Sequence, residues 1–258
     1  MIQFCPLASG SKGNLTLVRS STTTLLIDAG LSARATVNKL EEIGTSIESI
    51  DAILVTHEHG DHIRGLRILA QKYQIPILAN VETAKAIAQS FEECPKFKIF
   101  STGETFEFGD FEIHPFSVQH DTIDPVMFTL KAEGVKIGFC TDLGFVTTLV
   151  RAQLKNCDYL CIESNHEPNM VHASSRPMVY KQRVLGRSGH LSNHACAELL
   201  LDIAHPGLKK VYLAHLSSEC NTHNTALEVV SETLQRYGIQ LNLDIAHQDK
   251  ISEGILHT

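Results

Sequence analysis

The sequence predicts an α/β (α+β) protein, and three observations carry that expectation. Short apolar, β-branched runs alternate with stretches whose apolar residues recur at helical spacing. Turn residues punctuate them, as at Gly103, Gly109-Asp110 and Glu133-Gly134. Ionisable residues stand repeatedly just where an apolar run stops. With 258 residues and 43% hydrophobic content, the chain can bury a substantial core as one large domain or two small ones.

In chain order, residues 2–7 read as a first strand, 8–14 as a Gly/Ser turn, and 15–18 as the partner strand of a hairpin. The β-branched run 22–27 follows and ends on Asp28, just before a turn at Gly30. Residues 31–43 have helical periodicity with Gly44 as a stop, and 52–55 form a strand. A helix over 63–73 starts directly after a histidine-rich loop, with the positive end of its dipole toward whatever that loop binds. A strand at 75–79 and a helix at 81–90 precede a β-meander of 97–100, 105–108, 111–118, 126–131 and 136–140. Next come a helix at 145–154 and an apolar strand at 159–162. Residues 167–191, with Pro168, Pro177 and a basic, glycine-dotted run, are the least regular, and about 164–193 reads as an active-site insertion. A helix at 193–204, a strand at 210–214, a helix at 222–237 and a last strand at 241–246 complete the chain, with a similar strand-then-helix order in both halves.

The net charge of -7 excludes a surface that acts as a general counter-ion for nucleic acid. A polyanion must therefore be gripped locally, and bound divalent cations would reverse the field inside one cleft. Seven cysteines, odd in number and without a C-x-x-C pair, argue against a disulfide framework or a zinc knuckle and read as reduced thiols. The amino terminus lacks a basic segment followed by a long apolar one, and no run approaches a membrane span. The expected location is the cytoplasm, with no membrane partner.

Chemistry concentrates in Thr56-His57-Glu58-His59-Gly60-Asp61-His62, immediately after the apolar run Ile53-Leu54-Val55. Imidazole nitrogens and carboxylate oxygens suit Zn²⁺, Mn²⁺ and Fe²⁺, and H-x-H-x-D-H offers more donors than one ion takes from one loop. Fourteen histidines in a chain of this size are an excess, and several lie beside Asp, Ser or Asn. Strand ends carry Asp28, the 57–62 loop, His120-Asp121, Asp142, Glu163 with His166, and His215. One histidine after a strand is ordinary, but this recurrence is hard to explain by packing, because a buried ionisable group is costly unless paired or metal-bound. The turn with Ser9, Ser11 and Asn14 reads either as a phosphate cradle or as a flexible hairpin loop.

The ordered set Leu25-Leu26-Ile27-Asp28, Thr56-His57-x-His59-x-Asp61-His62, Val118-Gln119-His120-Asp121, Cys140-Thr141-Asp142-Leu143 and Leu213-Ala214-His215-Leu216-Ser217 resembles the five motifs of the metallo-β-lactamase superfamily. The pieces Ser9–Asn14, Glu163–Glu167, Gly189–Asn193 and His215–Ser218 resemble its YycJ/WalJ-type branch, whose members are regarded as DNA exonucleases related to the ribonuclease J and ribonuclease Z nucleases. This resemblance covers nearly the whole chain. It implies a single domain over residues 1–258, built as a four-layer αβ/βα sandwich with a dinuclear site at one edge of two facing sheets. By matching position, His57, His59 and His120 would hold one divalent ion and Asp61, His62 and His215 the other, with Asp142 bridging them. Asp28 would orient a ligating histidine or fix the loop, though it also reads as a plain strand-ending turn residue.

The implied activity is a phosphodiesterase on nucleic acid, a 5′→3′ DNA exonuclease using hydroxide attack on phosphorus, with two Zn²⁺, Mn²⁺ or Fe²⁺ ions. Asp61 or Asp142 could hold the nucleophile's proton. His190 or His166 could contact the scissile phosphate or protonate the leaving oxygen, or could be loop residues only. Ser9, Ser11, Asn14, Asn165 and Ser217 are candidate phosphate contacts, and Arg183 and Arg187 either grip phosphate or belong to a solvated loop. Two other classes compete. A thioester or lactone hydrolase shares the motifs but requires an apolar pocket, whereas residues 164–193 favour phosphate. A non-catalytic metal or redox protein ranks last, since no flavin-binding domain is attached.

Overall fold

Side chains along the first strands alternate between two apolar layers, and that alternation sets the architecture. In the computed structural model, which describes residues 1–257, Leu25 and Ile27 of β3 (Thr24–Ile27) enter one layer and Leu26 the other. β4 (Ala52–Leu54) repeats the pattern, with Ala52 and Leu54 on one side and Ile53 on the other. Strands apolar on both faces lie in the interior of a layered structure. Here one layer sits between two sheets, where Phe4 meets Tyr212 with ring centroids 5.8 Å apart. The other lies beneath α1 (Ala33–Glu42), α3 (Leu66–Lys72) and α4 (Val81–Ala88).

The first sheet runs β14 (Ile255–His257), β1 (Ile2–Ala8), β2 (Leu15–Arg19), β3, β4, β5 (Ile77–Ala79), β6 (Phe97–Ile99). The second runs β13 (Leu243–Ile245), β12 (Lys210–Ala214), β11 (Tyr159–Glu163), β10 (Val135–Cys140), β9 (Val126–Ala132), β8 (Phe111–Ser117), β7 (Phe106–Phe108). Each is antiparallel on one side and parallel on the other, with the change at β3 and at β10. α5 (Thr148–Leu154), α8 (Asn193–Ile203) and α9 (His223–Arg236) bury Val150, Leu200 and Val230 against the second sheet. The result is the four-layer αβ/βα sandwich expected from the sequence. Helix starts follow side-chain chemistry: Ser32, Asn80, Thr147, Ser192 and Thr222 each accept a backbone N–H from one turn ahead.

Register brings the chemistry to one edge. Ile27 pairs with Leu54, which sets Asp28 beside the start of the histidine loop. Glu163 pairs with Ala214, the residue before His215. No helix among the described residues is long and apolar enough to cross a membrane.

Four expectations change. The helix expected over 63–73 is two pieces, α2 (Gly60–Ile63) and α3, because the Gly65 N–H donates to Ala29 O at 2.8 Å instead of one turn back. A Cβ on Gly65 would lie 2.4 Å from Leu31 O, so only glycine permits that approach. β6 leaves the meander to extend the first sheet, parallel to β5. Residues 167–191 contain two helices, α6 (Pro168–Ala173) and α7 (Met178–Leu185), since their prolines stand at helix starts and Gly186 at a stop. β13 is followed by β14, a three-residue strand held by pairing with β1 and too short to show a period in sequence.

Candidate metal centre

Loops leaving β3, β4, β8, β10, β11 and β12 meet at this edge. His57, His59, Asp61 and His62 come from the first sheet's side, and His120, Asp142 and His215 from the second's. Their donor atoms form overlapping groups within 4.8 Å: His57, His59 and His120; His57, His62 and Asp142; Asp61, His62 and His215. Each of the seven belongs to at least one group, and Asp142 Oδ2 stands 3.3 Å from His62 Nε2.

The backbone is bent to deliver them. Asp28, Asp142 and His215 have φ of 61°, 50° and 53°, a left-handed conformation that costs a non-glycine residue about 1 kcal/mol or more. Gly30 makes room for the rest, because a Cβ there would lie 1.6 Å from Asp61 O and 2.5 Å from Asn14 N.

Hydrogen bonds fix which nitrogen each histidine presents. His62 Nδ1 donates to Asp28 Oδ2 at 2.7 Å, and His215 Nδ1 to Glu163 Oε1 at 2.9 Å. His120 Nδ1 donates to Gly189 O at 3.0 Å. The Thr56 hydroxyl donates to Asp28, which leaves its oxygen to accept His57 Nδ1 at 2.9 Å. In all four rings Nδ1 is thus occupied and Nε2 is the nitrogen turned toward the cluster, the arrangement that prepares imidazole as a metal ligand. His57 Nε2, His215 Nε2 and Asp142 Oδ2 are buried without a hydrogen-bond partner. Leaving three such atoms unsatisfied is costly, and a divalent cation would satisfy them together. The donor set therefore fits divalent metal.

Charge agrees with this. Burial opposes protonation of His62, but Asp28 and Asp142 outweigh it and raise its pKa to about 10. Burial of His215 is likewise outweighed, chiefly by Asp142, and its pKa rises well above the usual value. Burial would raise Asp142, yet His215 and His62 hold its carboxyl well below the ordinary range. Burial, then the neighbouring His62, keep His57 neutral. In the ion-free protein, protons on His62 and His215 supply the positive charge these carboxylates need, and a divalent cation can take their place.

Asp28, fully buried, accepts Thr56 N at 2.9 Å as well as His62, so it is more than a turn residue. Glu163, seen in the sequence only as a strand-end carboxylate, is a hub. Its Oε1 also accepts His190 Nδ1 at 2.8 Å, and its Oε2 accepts the N–H groups of Leu143 and Leu191. A carboxylate followed by Ser-Asn-His at the end of an apolar strand was the available signal. The Thr56 hydroxyl couples Asp28 to His57, a role its place in the sequence does not reveal.

His190 stands at the cluster, its ring centroid 5.2 Å from that of His120 and 5.1 Å from that of His215. His166 is buried with Nδ1 unpartnered and belongs to none of the donor groups; burial pushes its pKa down to about 4. Asn14 and Asn165 differ from their expected place as phosphate contacts. Asn14 Nδ2 lies 3.0 Å from His62 Nε2 and its Oδ1 accepts Gly10 N, while Asn165 Nδ2 donates to His215 O at 2.6 Å. Both hold the site's own framework. Ser9, Ser11 and Ser217 line a cavity beside the cluster. Arg183 is engaged by Asp121, with Nε 2.5 Å from Oδ2, and Arg187 lies over the Phe145 ring at 4.2 Å.

A family model described as the β-lactamase superfamily domain matches residues 23–216. Exodeoxyribonuclease YycJ of Bacillus anthracis is 37% identical over 240 residues, 92% of this chain and 90% of that protein. Exodeoxyribonuclease WalJ of Streptococcus pneumoniae is 36% identical over 247 residues, 94% of this chain and 92% of its own. The crystal structure of the metallo-β-lactamase fold protein YhfI from Bacillus subtilis superposes with a TM-score of 0.76 at 17% identity, covering 98% of this chain and 100% of that one. The chain belongs to the β-lactamase superfamily and is a metal-dependent hydrolase of the metallo-β-lactamase fold.

Proposed function

We propose that the protein is a cytoplasmic exodeoxyribonuclease that degrades DNA from the 5′ end, using two divalent ions. The observation that carries this reading is the similarity, over 92% of the chain, to a protein named an exodeoxyribonuclease. The residues beside the cluster support it: the cavity next to His215 carries the hydroxyl, amide and ammonium groups of Ser9, Ser11, Lys12, Ser217, Asn221 and Gln248.

His57, His59 and His120 would hold one divalent ion and Asp61, His62 and His215 the other, with Asp142 within reach of both groups. Bound divalent cations acidify water and offset charge developing on the phosphoryl oxygens. The chain's own groups do the rest. Asp61 or Asp142 would position the attacking water and accept its proton. His190 is aimed by Glu163, which occupies Nδ1 and leaves Nε2 to serve the leaving oxygen. His166, held neutral near pH 7 by burial, is a poor acid and is assigned a hydrogen-bonding contact with phosphate instead. Burial opposes ionisation of Glu163, but His190 and His215 outweigh it and bring its pKa down to about 2, while the N–H donors of Leu143 and Leu191 fix the carboxylate in place.

The test is to load the protein with Mn²⁺ or Zn²⁺ and assay end-labelled single- and double-stranded DNA and RNA beside thioesters and lactones. Progressive shortening of DNA from its 5′ end is expected. Ester cleavage without nuclease activity under either metal would overturn the reading.

A further inference from the structure

We infer that Arg183 is a positioning residue that holds the Asp121 carboxylate off the ion assigned to His57, His59 and His120 and so keeps a coordination position open there, an inference that rests on that assignment. Asp121 follows His120 directly in the chain and belongs to none of the donor groups. Its Oδ1 is nevertheless 3.4 Å from His120 Nε2, and His59 Nδ1 lies 3.3 Å from that same nitrogen. Two donors on one tetrahedral ion, with bonds of about 2.0–2.1 Å, stand about 3.3–3.4 Å apart. Asp121 thus sits at ligand spacing from one member of the group without joining the others.

A carboxylate so close to a divalent cation is drawn into its coordination shell unless something opposes it. His57, His59, His120 and Asp142 already offer four donors. A fifth from Asp121 would take the place that water or a substrate oxygen needs, and ions that do chemistry keep such a position open. Arg183 supplies the opposing pull. Its Nε donates to Asp121 Oδ2 at 2.5 Å and its Nη2 to Oδ1 at 3.2 Å, a planar fork that a guanidinium makes and an ammonium does not. The second of these bonds falls on the oxygen that faces His120.

Backbone contacts anchor both partners and leave the Asp121 side chain as the part free to turn. His120 Nδ1 donates to Gly189 O at 3.0 Å and Ile123 N to Glu58 Oε1 at 2.9 Å, which fixes the chain on either side of Asp121. His190 N donates to Val184 O at 3.1 Å, and a Cβ on Gly189 would lie 2.1 Å from Arg183 O, so the end of α7 is pressed against the segment that carries Gly189 and His190. The Arg183 and Asp121 side chains are 51% and 31% exposed, and an ion pair so open to water adds little to stability. Its effect is on where the carboxylate points. The insertion therefore acts on the ion without giving it a ligand.

The experiment titrates the metal-free protein with Co²⁺, whose visible absorption reports the number and kind of its ligands, and follows DNA turnover on the same samples. Arg183→Ala is expected to bind one equivalent about ten-fold more tightly, with an altered spectrum and slower turnover, because added carboxylate ligands tighten a site. Asp121→Ala should keep the wild-type spectrum. Combining the two changes should restore wild-type spectrum and affinity, since the carboxylate that closes the site is gone and the net charge is unchanged. His59→Ala, as a control on the ion itself, should lose one equivalent. An Arg183→Ala spectrum identical with wild type, a double variant that keeps the altered spectrum, or loss of an equivalent in Asp121→Ala would each overturn the positioning role and leave the ion assignment standing. Full occupancy in His59→Ala would overturn the assignment and the inference with it.

Discussion

Asp28→Asn is expected to weaken divalent-metal binding by about 10- to 100-fold with the fold intact, the range seen for partners that orient metal ligands. The change is nearly isosteric, and asparagine tolerates the left-handed φ of 61° at this position. The fully buried carboxylate receives Thr56 N at 2.9 Å on Oδ1, and His62 Nδ1 at 2.7 Å and the Thr56 hydroxyl at 2.9 Å on Oδ2. An amide has one acceptor oxygen. If that oxygen keeps Thr56 N, its NH₂ opposes His62 Nδ1–H, and the ring must rotate or change tautomer, losing the Nε2 lone pair aimed at the cluster. The lost charge-assisted bond is worth about 1.5–3 kcal/mol. At about 1.4 kcal/mol per decade of affinity, this matches the expected loss. Competition against a chromophoric chelator with Zn²⁺ and Mn²⁺ measures it, and thermal unfolding of the metal-free variant reports on the fold. A folded variant that binds metal within a factor of about two of wild type would refute the idea that Asp28 prepares His62.

Glu163→Gln should lower turnover at least about 100-fold and also loosen metal, because one oxygen sets both His190 and His215; steady-state rates and metal content on the same sample check it. His190→Ala should cut turnover by about 10²- to 10⁴-fold with metal content unchanged, and loss of metal would make His190 a ligand. Since its pKa is about 10 against an ordinary 6.5, His62 stays protonated at neutral pH without metal, so metal affinity should rise with pH and binding should release protons, seen by calorimetry in buffers of differing ionisation enthalpy. The ion-free protein has the opposite dependence: the stabilisation from His62⁺ is complete below 6.5 and is lost as pH rises through about 10, which chemical denaturation with chelator present will show. Gly30→Ala, whose Cβ would fall 1.6 Å from Asp61 O, should abolish metal binding; full metal content in a folded variant would refute the tight fit.

Much of the site was legible because its donors are local or mark the ends of apolar runs. His57, His59, Asp61 and His62 lie within six residues, and the apolar, β-branched runs that become β3 and β4 read as strands ending at the site. Side-chain direction was not legible. Asn14 and Asn165 have the chemistry of phosphate contacts, but tertiary structure turns one toward His62 and the other onto the backbone of His215. Glu163 gains its role only when β11 and β12 pair in a register that sets it beside Ala214. Arg183 reads as a free cation until Asp121, far off in sequence, is folded against it. α6 and α7 were hidden because their prolines, read as irregularity, are the residues with which those helices begin.

The seam between the two sheets has a mechanical consequence. A cation held jointly by His62 of one side and His215 of the other acts as a removable cross-link, closing a loop from residue 62 to residue 215 as a disulfide would, in a chain whose cysteines are all free. Ligation also requires the folded state, so each metal equivalent draws the chain toward the docked arrangement by mass action, adding about 2.7 kcal/mol when free metal stands at 100 times its dissociation constant. Metal supply would thereby set the protein's stability as well as its rate.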